Sequence, residues 1–199
     1  MGGHAPHVRP KVYVCVVNIP PDTKDWTWVL EEACPECGFD SRQPARDDLA
    51  PLAGRVGEAW LAAMGSVPSV MERPEPTIWS PLEYACHVRD VFALATYRVG
   101  LMTTVDDPLF DNWDQDETAN QEAYASQDPS AVTDALVDRA REFGISLAGL
   151  SDGEWPRPGR RGDGAVFTVE SFARYLLHDP IHHLTDVTRS RWAWSSAPR

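Results

Sequence analysis

Hydrophobic residues recur at helical spacing along most of this chain, and the pattern begins clearly near residue 49. Leu52, Val56, Trp60 and Met64 follow one another every four residues, which places all four on one face of a helix. An amphipathic helix is therefore predicted over about 49–65.

The clearest helix start lies at residues 80–83, where the sequence reads SPLE. Ser80 is a suitable N-cap, Pro81 suits the first helical position, and Glu83 completes a capping box. A second helix is therefore predicted from Pro81 to about residue 102. Its predicted inward face carries Tyr84, His87 with Val88, Val91, Leu94 with Ala95, and Arg98.

Two further helices follow after polar connections. Asp128 and Pro129 begin a third helix, and Thr168 is the predicted cap of a last helix over about 169–190. The predicted inward face of this last helix carries Phe172, Tyr175 with Leu176, His178 and His182. The segment 104–127 is predicted as a long loop with a short helical turn, and 153–164 as a connector.

These elements predict an all-α protein, a four-helix bundle preceded by a short extended and possibly β N-terminal segment. The extended segment is VYVCVV at 12–17, which is rich in β-branched residues. We divide the chain into an N-terminal extension at 1–48, a bundle at 49–190 that carries the candidate metal ligands, and a C-terminal tail at 191–199.

The charge of the chain argues against two classes of partner. There are 18 Lys and Arg against 30 Asp and Glu, a formal net charge of −12. Such a surface repels phosphate backbones and anionic lipid, so neither nucleic-acid binding nor membrane binding is expected. No apolar run reaches the ~20 residues that span a bilayer, and the first residues lack the apolar core of a signal peptide. A cytoplasmic protein is expected, with a homodimer as one open alternative.

The candidate chemistry lies in HDPIHHLTDV at 178–187. His178 and His182 are four residues apart and so project from one face of the last helix. A zinc-like ion needs at least three protein ligands, and His87 on the inward face of the second helix is the predicted third. The remaining coordination positions would stay open to water or substrate, as in catalytic sites.

The neighbours of this histidine pair have predicted roles of their own. His183 lies about 100° further around the helix than His182 and is assigned to the pocket rim or the second shell of ligands. Asp186 follows His182 by four residues and is a candidate second-shell carboxylate. Asp179 is expected off the metal face, and Pro180 should kink the helix between the two ligands.

Two stretches, SPLEYACHVRDV and FTVESFARYLLHDPIHHLTDV, resemble the DinB/YfiT-like superfamily of four-helix bundles. NWDQDETA and GRRGDGAVFTVESFARY resemble its actinobacterial branch, and the likeness covers roughly residues 49–190. The superfamily includes mycothiol- and bacillithiol-dependent enzymes such as the maleylpyruvate isomerases. The resemblance implies a divalent ion such as zinc or nickel on His87, His178 and His182. Many family sequences carry a Gln shortly after the last histidine, whereas this chain reads HLTDV.

Three other features have alternative interpretations. Cys34 and Cys37 in CPECG form half of a zinc ribbon, so a second, structural metal, a redox pair and plain thiols all remain open. Cys15, His4 and His7 are the sequence's candidates to complete such a metal site. Trp113 and Asp114 in NWDQDE could cover the pocket mouth or lie in a solvated loop. Arg160 and Arg161 could bind an anionic substrate or be solvated.

Two classes of function follow from these residues. The first is a metal-dependent enzyme, either a transferase or isomerase that uses a low-molecular-weight thiol cosubstrate to act on a small electrophilic molecule, or a hydrolase that uses metal-activated water. The second is a helical module that binds a metal or ligand without turnover. The sequence cannot separate the two enzymes, because the nucleophile comes from outside the chain in both.

Overall fold

The computed structural model describes residue 19 and residues 24–193 of the 199-residue chain. Four long helices form its framework: α1 at Leu49–Ser66, α2 at Pro81–Thr104, α4 at Pro129–Ala148 and α5 at Val169–Thr188. A short helix, α3, lies at Gln115–Gln121 between α2 and α4. The predicted four-helix bundle is therefore confirmed. The extended segment predicted at 12–17 lies outside the described residues.

Three of the four long helices, α2, α4 and α5, begin at the capping residues predicted from the sequence. Ser80 accepts a hydrogen bond from the Glu83 N–H at 3.2 Å, while the Glu83 carboxylate accepts one from the Ser80 N–H at 2.8 Å. Asp128 likewise accepts from the N–H of Ala131 at 2.9 Å. These bonds satisfy N–H groups that have no partner within the helix.

The bundle core contains a buried aromatic side chain from each long helix, packed among aliphatic residues. Trp60, Phe92, Phe143 and Phe172, one from each long helix, are all buried to 1% exposure or less. α1 packs against α4, and α2 packs against both α4 and α5. The contact between α2 and α5 brings His87 of α2 next to the histidine-rich turn of α5, where the candidate metal ligands lie.

A small three-stranded sheet was not predicted. It consists of β1 at Leu109–Phe110, β2 at Pro158–Arg161 and β3 at Val166–Thr168, with β2 in the centre, parallel to β1 and antiparallel to β3. The predicted loop and connector thus contain strands. The strand β2 reads PGRR and has no hydrophobic alternation to reveal it. Its Gly159 fits because a Cβ there would lie 2.5 Å from the Phe110 ring.

Residues 24–48 share the core of the bundle. Val29, Cys34, Cys37 and Phe39 are each 1% exposed. Arg174 of α5 fixes the segment from the other side by donating to the backbone oxygens of Ser41 at 2.6 Å and Pro44 at 2.9 Å. Within the described residues, no helix is both long and apolar enough to cross a membrane.

Candidate metal centres

One turn of α5 supplies potential ligands to two different sides of the helix. His178 and His182 project to one side, and Asp179 and His183, also four residues apart, project to the adjacent side. Each pair meets a different part of the chain. The result is two clusters of potential metal ligands on two sides of the same part of α5.

The first group, here called the Cys–His cluster, consists of Cys34, Cys37, His178 and His182. Their potential ligand atoms all lie within 4.8 Å of one another, and all four side chains are buried. The Cys34 sulfur is 3.6 Å from Nδ1 of His182. The described residues of the extension thus face α5 through both cysteines of CPECG.

The second group, here called the pocket cluster, consists of His87, Asp179 and His183. Their ligand atoms also lie within 4.8 Å of one another. Nε2 of His87 is 3.3 Å from Oδ1 of Asp179, and Nε2 of His183 is 3.9 Å from the same oxygen. Two imidazoles and one carboxylate therefore converge from α2 and α5.

Neighbouring side chains hold the pocket cluster in place. Asp186 lies 2.8 Å from Nδ1 of His183, which leaves Nε2 directed at Asp179. Such a carboxylate–histidine contact fixes the orientation of a ligating imidazole. The His87 ring stacks on Trp113, with 5.4 Å between centroids and 8° between planes, and lies 5.3 Å from Trp79.

Several buried polar atoms in the two clusters have no hydrogen-bond partner among the described residues. They are Nδ1 and Nε2 of His87, Nε2 of His178 and Oδ1 of Asp179; the contact between His87 and Asp179 is close but not aligned as a hydrogen bond. An unsatisfied buried polar group costs about 1–3 kcal/mol. Imidazole nitrogen, carboxylate oxygen and thiolate sulfur are the donors that zinc and related ions use, so both clusters fit a divalent ion.

Burial and neighbouring charges shift the pKa values of His178, His182 and Asp179 in the metal-free chain. Burial lowers the pKa of His178 to about 4, with a smaller contribution from His182, and it also lowers the pKa of His182. Burial alone would raise the pKa of Asp179, but the imidazoles of His87 and His183 outweigh it and keep this pKa below its ordinary value. Neutral imidazoles and an ionised carboxylate are the forms that bind metal.

A cavity of about 830 Å³ opens beside the two clusters. Asp179 and His183 of the pocket cluster line it, and so do His178 and His182 of the Cys–His cluster. Its other walls combine aromatic with charged and polar side chains, and the aromatic ones include Trp26, Trp79, Tyr84, Trp113 and Tyr175. This volume is in the range of ~300–1,000 Å³ that is usual for small-molecule sites.

The residues predicted to bind substrate divide between this cavity and the surface. Trp113, Asp114 and Arg161 line the cavity. Arg161 donates to the Tyr175 hydroxyl at 2.8 Å and pairs with Asp163. Arg160, the preceding residue of β2, instead pairs with Asp107, because neighbouring residues of a strand face opposite sides.

The structure does not bring His87, His178 and His182 into one ligand set. α2 lies on the side of α5 from which Asp179 and His183 project, so His87 joins those two residues. Asp179, expected off the metal face, is in the cluster, and His183, expected at the rim, is a candidate ligand. Asp186 is closer to His183, at 2.8 Å, than to His182, at 3.9 Å. The equal four-residue spacing of Asp179 and His183 was the signal that could have indicated this arrangement.

The fold is a helical bundle, and two clusters of potential metal ligands lie beside its cavity. These features make the chain a candidate metalloprotein. The sequence model of the DinB superfamily matches residues 45–187, and the chain belongs to this superfamily. A similar solved structure is YfiT from Bacillus subtilis, described as a probable metal-dependent hydrolase with an unusual four-helix bundle topology. The two share 19% identity and a TM-score of 0.66 over 79% of this chain and 93% of that one, which supports the common fold. No curated protein matches this chain.

Proposed function

We propose that this chain is a metal-dependent enzyme whose divalent ion, zinc or nickel, is held by His87, Asp179 and His183. The observation that carries the proposal is the convergence of these three groups beside the cavity, with buried ligand atoms of His87 and Asp179 that lack a hydrogen-bond partner among the described residues. Three protein ligands leave coordination positions open, as catalytic rather than structural sites do.

The surrounding residues have supporting roles in this proposal. Asp186 orients His183, while Trp79 and Trp113 fix the His87 ring and shield it from water. When bound, a divalent ion lowers the pKa of a coordinated thiol or water and so makes a nucleophile available at neutral pH. The aromatic walls would hold an apolar reactant, and Arg161 would orient a carboxylate on it.

Within this class we favour a transferase or isomerase that uses a low-molecular-weight thiol to act on a small electrophile. The sequence resemblance to mycothiol- and bacillithiol-dependent enzymes supports it. The cavity, at about 830 Å³, also has room for two small reactants. A hydrolase is the second candidate. It is supported by the description of YfiT and by the ligand set of two histidines and a carboxylate, which zinc hydrolases also use.

A substrate panel with matched variants tests the proposal. Metal-loaded protein is incubated with electrophiles in the presence of mycothiol, bacillithiol or glutathione, and separately with esters and amides without thiol. We expect thiol-dependent turnover that His87→Ala and Asp179→Asn each abolish. Arg161→Ala should raise KM, whereas Arg160→Ala, on the opposite face of β2, should not.

The possible outcomes separate the alternatives. Turnover without thiol would favour the hydrolase. Stoichiometric metal without turnover on any substrate would favour a binding module. Turnover that survives the loss of both His87 and Asp179 would refute the proposed site.

A further inference from the structure

We propose that Cys34, Cys37, His178 and His182 form a second metal site, a structural zinc centre that joins the CPECG segment to α5. This site is distinct from the pocket cluster and does not depend on the proposed enzyme activity. The inference begins from the four potential ligands, two from each segment, whose ligand atoms lie within 4.8 Å of one another.

The spacing of the ligand atoms suits tetrahedral zinc. With Zn–S near 2.3 Å and Zn–N near 2.05 Å, tetrahedral geometry places a sulfur and a nitrogen about 3.6 Å apart. The Cys34 sulfur and Nδ1 of His182 are 3.6 Å apart. Nε2 of His178, buried and without a hydrogen-bond partner among the described residues, provides a second nitrogen.

Burial indicates a structural rather than a catalytic or redox site. Cys34 and Cys37 are each 1% exposed, His178 4% and His182 7%. Four protein ligands complete the coordination of zinc and leave no position for substrate. A redox CxxC pair needs an accessible thiolate, and neither thiol is accessible here.

The local backbone has the features of a ligand knuckle. The turn closes through the Gly38 N–H donating to the Cys34 carbonyl at 2.8 Å, with Gly38 at φ +78°, a conformation that favours glycine. The Phe39 N–H is directed at the Cys37 sulfur at 3.5 Å, which would stabilise a thiolate. Burial raises the pKa of the Cys37 thiol to about 12, so in the metal-free chain it stays protonated.

Side chains around the four ligands hold His182 and the CPECG turn in place. Nε2 of His182, the nitrogen not facing Cys34, lies 3.5 Å from a Glu36 carboxylate oxygen. In metal sites the second ring nitrogen of a ligating histidine commonly lies next to a carboxylate. Arg191 donates to the backbone oxygens of Pro35 and Glu36 and so holds the knuckle from the C-terminal side. Trp26 packs on both imidazoles, 5.4 Å from His178 and 5.1 Å from His182.

The site would also fix the orientation of α5. His178 and His182 alternate with Asp179 and His183 along the same turn. A metal that holds the first pair to the CPECG knuckle therefore sets the direction in which the second pair projects. This last consequence, unlike the site itself, rests on the proposed function.

X-ray absorption at the zinc K-edge of the intact, zinc-loaded protein is the first test, because it needs no variant that could fail to fold. With one zinc in each cluster, we expect a sulfur shell near 2.3 Å that averages about one sulfur per zinc. His87→Ala should remove the nitrogen- and oxygen-bound zinc and raise this average to about two sulfurs. A wild-type spectrum with nitrogen and oxygen neighbours alone would overturn the inference.

Cobalt substitution provides the matched variants. Cobalt-loaded protein should show near-ultraviolet thiolate-to-cobalt charge transfer and intense visible bands of a tetrahedral ion. Cys34→Ser/Cys37→Ser should abolish the charge-transfer band, while Cys86→Ser, which alters a buried thiol of α2 outside both clusters, should retain it. Retention of the band in His87→Ala supports a site separate from the pocket cluster. Loss of the band in His87→Ala with its fold intact, or its persistence in the double cysteine variant, would overturn the proposal.

Discussion

Trp60 joins α1 to the turn of α5 that carries both ligand clusters, and its replacement by phenylalanine tests how firmly that turn is anchored. The indole is fully buried, and its Nε1–H donates to the Pro180 carbonyl at 3.0 Å. Pro180 lies between the first and second members of both ligand pairs, and its missing N–H weakens the helix at that point. The bond from Trp60 is therefore well placed to stabilise the turn.

The expected cost of Trp60→Phe follows from these contacts. The substitution removes about two buried carbon atoms, at ~0.8 kcal/mol each, and one hydrogen bond of ~1 kcal/mol. We therefore expect the free energy of unfolding to fall by about 2–3 kcal/mol. For a chain of this size the melting temperature should drop by roughly 5–10 °C.

Urea denaturation of the metal-free protein in chelator measures this effect without interference from metal binding. Trp113→Phe is the matched control, because it also deletes an indole hydrogen bond, to the Thr118 hydroxyl at 2.8 Å. That bond lies in the half-buried wall of the cavity, where water can replace it, so a loss below about 1 kcal/mol is expected. A Trp60→Phe variant no less stable than this control, at an unchanged denaturant slope, would refute the reasoning.

Three further predictions concern packing, pH and the ligand set. Gly57→Ala places a Cβ 2.9 Å from that of Ala140 and should destabilise the protein by about 1–3 kcal/mol. Gly54→Ala on the same helix meets nothing within 4 Å and should stabilise the protein by up to about 1 kcal/mol. Denaturation curves of the two variants that coincide would contradict the close contact between α1 and α4. Burial, aided by His182, holds the folded-state pKa of His178 at about 4, below its reference of 6.5, so the unfolded chain takes up the proton first. In chelator, this pKa difference contributes about 3 kcal/mol to the free energy of unfolding. The contribution should be present above pH 6.5 and be lost as the pH falls towards 4. A His178→Gln variant whose stability has the same pH profile as the wild type would refute this assignment. Finally, His183→Ala should weaken binding of the pocket metal, measured by titration, as severely as His87→Ala does. The ligand set predicted from the sequence instead implies that His87→Ala largely abolishes binding and that His183→Ala only weakens it.

The helices could be predicted because their signals are local. Ser80 with Glu83, and Asp128 with Pro129, define two helix starts through bonds within one turn, and apolar spacing defines the faces. The sheet could not be predicted in this way. β2 pairs with β1, which lies far away in sequence, and with β3, which follows closely but is only three residues long. Gly159 of β2 is explained by the Phe110 ring and the Met102 side chain that lie against it, and this contact is not visible in the sequence.

The candidate ligands could be found from the sequence, but their grouping could not. The spacing of His178 and His182 correctly placed both on one buried face of α5. Which face meets α2 and which meets CPECG depends on the rotation of α5 within the bundle, and four-residue spacing does not specify that rotation. His178 and His182 were not predicted as partners of Cys34 and Cys37, because the two pairs lie more than 140 residues apart in the sequence.

The central claim is that one turn of α5 serves two separate metal sites. Anomalous diffraction at the zinc edge from crystals of zinc-loaded protein tests it most directly. We expect two peaks, one among Cys34, Cys37, His178 and His182 and one among His87, Asp179 and His183. A single peak coordinated jointly by His87, His178 and His182, or no peak at either cluster, would contradict it.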